Sequence, residues 1–194
     1  MKKIALFIAA VLISIGSWAQ EEAETPAVPL KFDRVIDVEG FKAQDIYRML
    51  KQWAGRTFND PSSVLTFDDG RSEVIVKPRF VFKTGNLTWR ESSGYVSYMV
   101  SIRVKDNRFK VVAENFVHTS TSEYDHWSNG IVYASEPTKE QLKAAGWSAT
   151  RRTQYRWVHK KILPLCHEEW TKLMLSIEGS FLKSLQQQID DDNW

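Results

Sequence analysis

YMVSIRVKDNRFKVVAENFVH, residues 98–118, holds two runs of alternating apolar residues joined at Asp106-Asn107. A two-residue turn there sets the register of a β-hairpin. It puts Tyr98, Val100, Ile102 and Val104 on one face with Phe109, Val111 and Ala113, which is the core side. On the opposite face Lys105 lies across from Arg108, and Arg103 across from Lys110. Like charges directly opposed destabilise a strand pair, so these four cations need water or an anion. Arg103, Lys105, Arg108 and Lys110 are therefore one candidate anion-binding set.

Before the hairpin, KFDRVIDVEG alternates through Phe32, Arg34, Ile36 and Val38 as a strand does. Ala43, Ile46, Tyr47, Leu50, Trp53, Ala54 and Thr57 then recur at helical spacing, and Asn59-Asp60-Pro61-Ser62 ends that helix. SVLTF and SEVIVKPRFVFK flank Asp69-Gly70, a hairpin signal. Pro78 has no amide hydrogen, which predicts an edge or a bulge in the longer strand. After the opening hairpin comes an insertion, residues 119–163. In it Asn129-Gly130 predicts a small turn, and Thr138 with Gln141 a capped short helix ending at Gly146. TQYRWVHK alternates and predicts a strand. Pro164 is read as the first residue of a long amphipathic helix bearing Trp170, Leu173, Met174, Ile177, Phe181, Leu185 and Ile189 on one face. The predicted class is α+β: an antiparallel sheet in β-α-β4-α order, with the insertion preceding a long C-terminal helix packed on the sheet.

The chain opens with Lys2-Lys3, an apolar run over residues 4–15, and Ser17-Trp18-Ala19. That is the pattern of a cleaved export signal, with cleavage expected between Ala19 and Gln20. The run is shorter than the roughly 20 residues that span a bilayer, so no transmembrane segment is expected after cleavage. Residues 20–30, rich in acids and proline, read as a disordered linker, and residues 31–190 as one domain. Lys+Arg number 26 and Asp+Glu 24; losing Lys2 and Lys3 with the leader leaves 24 of each. A neutral exported chain lacks the basic footprint of a nucleic-acid binder. The single cysteine, Cys166, allows no internal disulfide.

FDRVIDVEGFKAQDIYRMLKQWAGRTF, the Asp69-Gly70 hairpin and SIRVKDNRFKV together resemble a family of bacterial exported domains of unknown function with a TBP-like fold. The matching positions are Lys42 near the start of the first helix, Trp53 near its end, and Val104-Lys105-Asp106 with Arg108-Phe109 in the hairpin. The resemblance covers about residues 31–118. It implies an envelope protein with the TBP-like fold and supplies no catalytic residues. The fold name does not import DNA binding, because function lives in a site. The same architecture hosts proteins that enclose an apolar cavity between sheet and helix.

Four candidate sites follow. Cys166, in the first turn of the expected helix, has His167 beside it, but neighbours on a helix point about 100° apart, so an inert buried thiol is expected. His118, His126, His159 and His167 fall at no metal-ligating spacing, and no nucleotide or hydrolase motif occurs; no metal or cofactor is expected. From Gln141 to His167 there is no acid, while Arg151, Arg152 and Arg156 are interleaved with Trp147, Tyr155 and Trp157. That set suits an anionic glycan, a lipid headgroup or an acidic protein partner. Finally, Trp170, Met174, Ile177 and Phe181 would line an apolar cavity if one lies under the last helix, although such a stripe is usually core. The function expected is a non-catalytic envelope binding module; the alternative is a periplasmic hydrolase whose site carries no recognisable motif.

Overall fold

The computed structural model describes residues 27–58, 65–68, 70 and 72–191. The expected signal segment and the turn at residues 59–62 lie outside these. Strands β1 (Phe32–Asp37), β2 (Leu65–Asp68), β3 (Glu73–Val76), β4 (Arg79–Phe82), β5 (Gly94–Lys105), β6 (Arg108–Ser120) and β7 (Gly130–Ile131) form one antiparallel sheet. Its main path runs β1-β6-β5-β3-β2, with β4 also on β5 and β7 on β6. The helices are α1 (Ala43–Thr57), α2 (Lys139–Ala144) and α3 (Ala149–Asp191).

The β5–β6 hairpin has the register expected from its turn, with Lys105 across from Arg108 and Arg103 across from Lys110. Asn107 supplies the left-handed turn residue, at φ 63. β3 and β4 are one strand interrupted at Lys77-Pro78, and both halves pair with β5. The Pro78 carbonyl still accepts from the Tyr98 amide, at 3.0 Å. The linker does not stay free to residue 30. Pro29 bridges Tyr133, and the Leu30 amide donates to the Val132 carbonyl at 2.8 Å.

One face of the sheet is covered. Ile46, Tyr47, Leu50, Trp53 and Ala54 of α1, and Val158, Ile162, Cys166, Met174, Ile177 and Phe181 of α3, are buried with Val74, Val76, Val96, Val100, Ile102, Phe109 and Val111. Phe32 stacks on Trp170 at 5.5 Å and Phe109 on Phe181 at 5.0 Å, so α3 runs along the sheet toward the hairpin turn. Trp53 donates its indole hydrogen to Ser176 at 3.0 Å, tying α1 to α3.

Two expectations fail together. TQYRWVHK is helix, and Pro164 lies inside α3, not at its start. Tyr155, Trp157 and His159 fall at every second position, which mimics a strand. The side chains that are buried are Gln154, Tyr155, Val158, His159, Ile162 and Cys166, a helical stripe. Pro164 costs α3 one amide-to-carbonyl bond, and the packing on both sides of it holds the helix through that gap. The insertion therefore ends at the start of α3, and its last fifteen residues, 149–163, belong to the helix.

The hairpin turn also completes α1. Lys42, before its first residue, has no side chain that caps it. Asp106 accepts from the Ala43 amide at 2.8 Å, and Asn107 Oδ1 from the Gly40 amide at 3.0 Å. Lys42 Nζ lies 3.7 Å from Asp106. The Lys42 and Val104-Lys105-Asp106 pattern thus encodes a helix cap delivered from 63 residues away. Replacing Asp106 with Ala should cost about 1 kcal/mol in urea unfolding, with little change for Asp106→Asn; an unchanged midpoint for the alanine variant would rule the cap out.

Candidate functional site

The second half of β6 builds the site. Asn115, at φ 58, adds a residue to β6 between Glu114, paired with Met99, and Val117, paired with Ser97. This bulge reverses the inward phase: Phe109, Val111 and Ala113 face the core before it, and Phe116, His118 and Ser120 are buried after it. Beside them Gly94 meets the backbone of Thr119 and Ser120; a Cβ on it would lie 2.0 Å from the Thr119 carbonyl oxygen.

His118, with no exposed surface, organises a buried polar network. The Asn129 amide donates to its Nδ1 at 3.0 Å, so the ring is neutral and carries its hydrogen on Nε2. Nε2 then donates to the Ser92 carbonyl at 3.0 Å. Gln154 of α3 donates to Ser92 Oγ at 2.7 Å and to Asn129 Oδ1 at 3.1 Å. Asn129 Nδ2 donates to the Tyr155 carbonyl at 3.0 Å. The network thereby clamps three separate segments: the turn at residues 90–92, the loop at 121–130 and the start of α3.

Above this floor lies a cleft of ≈290 Å³ lined by Trp89, His126, Trp127, Ser148, Thr150, Arg151 and Gln154. Ser148 caps α3 by accepting from the Arg151 amide at 3.2 Å. The Arg151 guanidinium donates to Gln154 Oε1 and to the Ser128 carbonyl, and stands 4.6 Å over the Trp147 ring. Burial pulls its pKa down. It makes no ion pair with any carboxylate among the described residues. His126 sits 5.1 Å from Trp127 and 5.7 Å from Tyr124, continuing the aromatic wall.

The residues singled out from sequence are dispersed. Arg103 pairs with Glu73 at 3.0 Å and Lys110 with Asp33 at 2.8 Å, while Asp37 lies across from Arg108. These four cations, with Val35 and Phe109, border a separate groove of ≈330 Å³ on the outer face of the hairpin. Arg156 pairs with Glu136, which Lys160 also approaches at 3.6 Å. Arg152 donates to the Trp147 carbonyl, two residues before α3. Of the insertion cations only Arg151 enters the cleft. Met174, Ile177 and Phe181 are buried in the core, and half-buried Trp170 lies on Phe32. Cys166 is fully buried and its thiol is pushed up to about 12 by burial, so it offers no thiolate near neutral pH. Among the described residues no group of three or more His, Cys, Asp or Glu could hold a metal ion.

Sequence reading missed Trp89, His126, Trp127, Ser148, Thr150 and Gln154. A signal was present: TWRESS, HWSNG and GWSAT each set a tryptophan beside hydroxyl or cationic residues in a loop, outside any alternating run.

The network should be visible in acid. Burial, the largest effect, lowers the His118 pKa from 6.5 to about 4, and the Arg151 charge assists. A histidine depressed by folding stabilises the fold fully above pH 6.5, and that contribution is lost as pH falls from 6.5 to 4. Its size is about 3 kcal/mol. Urea unfolding across this window should show the loss, and His118→Gln should remove the His118 share of the slope. Equal slopes would place His118 outside the network.

No curated protein matches the chain. Its fold is similar to that of a TBP-like protein from Parabacteroides distasonis ATCC 8503, at 9% identity and a TM-score of 0.52 over 77% of this chain and 93% of that one. A DUF4468 family protein from Bacteroides ovatus ATCC 8483 matches at 13% identity and a TM-score of 0.47 over 77% and 86%. The family model for the Domain of unknown function (DUF4468) with TBP-like fold spans residues 32–119. That span contains Trp89, Ser92 and His118 and stops before Trp127 and α3. With its antiparallel sheet and long C-terminal helix the chain has a TBP-like fold, and its residues 32–119 match the model of this family of domains of unknown function.

Proposed function

We propose that the chain is an exported, non-catalytic binding module of the bacterial cell envelope, whose ligand seats in the cleft of Trp89, Trp127 and Arg151. The observation that carries this reading is the Arg151 guanidinium, half-buried among aromatic rings and, among the described residues, without a carboxylate to neutralise it. A desolvated cation of this kind is stabilised by an incoming anion. The hairpin cations make a weaker case, since Glu73, Asp33 and Asp37 already stand beside them. An apolar ligand under α3 is disfavoured because Met174, Ile177 and Phe181 are packed against the sheet.

The hydrolase alternative has its best grouping in Ser92 and His118, and the geometry argues against it. His118 bonds the Ser92 carbonyl and not its hydroxyl, and both ring nitrogens are engaged. A general base needs a free nitrogen within reach of the nucleophile.

Export rests on the leader pattern of residues 1–19. Intact mass of the chain recovered from the envelope or medium should correspond to a start at Gln20. A membrane-bound species still beginning at Met1 would refute export by cleavage.

Binding is tested by retention on immobilised anionic envelope polysaccharide and on anionic vesicles. Trp89→Ala and Trp127→Ala should each weaken retention by about tenfold. Exchanging Arg103, Lys105, Arg108 and Lys110 for Ser should change it by less than about twofold. If the hairpin variant loses binding and the tryptophan variants keep it, the cleft is not the ligand seat.

A further inference from the structure

We infer that the ligand is a pyranose sugar bearing one carboxylate, a uronic-acid unit of an acidic glycan; this rests on the cleft being the ligand seat. Charge comes first. Arg151 is the only Lys or Arg among the cleft-lining residues. A lone guanidinium balances a monoanion and leaves a phosphate dianion only half neutralised.

Donor geometry narrows the anion further. A guanidinium has five N–H donors in a planar fork. One on each of two nitrogens goes to Gln154 and Ser128. The three others are uncommitted among the described contacts, enough for the paired bonds that a planar carboxylate accepts. The two internal bonds also fix the plane of the fork before any ligand arrives, which lowers the ordering cost of binding.

The walls select the rest of the molecule. Trp89, Trp127 and His126 offer aromatic surface, and Ser148 and Thr150 offer hydroxyls. A pyranose ring presents a face of weakly polarised C–H groups, which suits the negative face of an indole. Its rim of hydroxyls pairs with Ser and Thr. A lipid chain would leave the Arg151 guanidinium and the Ser148 and Thr150 hydroxyls without polar partners. A cleft of ≈290 Å³ stands at the small end of ligand pockets and admits a chain end or a branch, not a long buried segment.

The experiment titrates the full folded chain with trigalacturonate, with neutral maltotriose and with phosphatidylglycerol vesicles, read by calorimetry and tryptophan fluorescence. Trigalacturonate should bind at least tenfold more tightly than maltotriose. Trp89→Ala and Thr150→Ala, both clear of the buried network, should each weaken it by tenfold or more, and Arg151→Lys should abolish the preference for the acidic sugar. Because Arg151 also holds Gln154 and Ser128, the first two variants keep the test decisive if the third unfolds. Equal binding of the two sugars, lost in Trp89→Ala, would overturn the carboxylate and leave the cleft as the seat. Binding to vesicles alone would overturn the sugar. Trigalacturonate binding unchanged by Trp89→Ala and Thr150→Ala, or binding to none of the probes, would overturn the cleft as well.

Discussion

One left-handed residue governs how this sheet is used. Alternation assigns every second side chain of a strand to one face, so an inserted residue exchanges the faces from that point on. Asn115 supplies that insertion, and asparagine tolerates the conformation better than most side chains. As a result β6 serves two purposes in thirteen residues. Its first half feeds Phe109, Val111 and Ala113 into the apolar core. Its second half turns Phe116, His118 and Ser120 toward the same side, where they meet the loops and the beginning of α3. Without the bulge His118 would face outward, and the segments it joins would lose their common anchor.

That anchor is polar, which is an expensive choice unless every group is matched. Here they are: no buried side-chain nitrogen or oxygen among the described residues lacks a partner. Buried networks of this kind fix a single arrangement, because partial satisfaction is penalised in low dielectric. The clamp on the segments around Ser92, Asn129 and Gln154 is therefore a device for rigidity. It holds the rings of Trp89 and Trp127 on loops that have no regular ladder of their own.

Much of the architecture was legible because it is written in local period and turn chemistry. The β5–β6 hairpin announces itself in the Asp106-Asn107 turn, α1 in its stripe from Ile46 to Ala54, and the core half of α3 in the stripe from Trp170 to Phe181. The capping box at Thr138 and Gln141 forms as its spacing implies. The start of α3 was misread for a physical reason: aromatic Tyr155, Trp157 and His159 alternate, and proline at 164 ordinarily opens a helix. Packing against the sheet overrides both signals. The cleft was hidden for a different reason. Its walls come from residues 89, 126–127 and 148–154, and their meeting depends on the Asn115 bulge, which no short window reveals. Arg151 was singled out, but with Arg152 and Arg156 as equals, since only coordinates show that Arg156 pairs with Glu136 and Arg152 turns to the Trp147 carbonyl, while Arg151 enters the cleft.

The loan of Asp106 to the first turn of α1 has a bearing on how the chain acquires its shape. A helix of fifteen residues is marginal alone, and this one lacks its amino-terminal stop until a residue made much later arrives. Synthesis runs from the amino end, so the segment is finished well before its fastener exists. The two ribbons that carry the fastener meet through a two-residue connection, the quickest kind of long-strand closure. The amino-terminal cap of α1 is thus complete only once the β5–β6 hairpin has closed at Asp106.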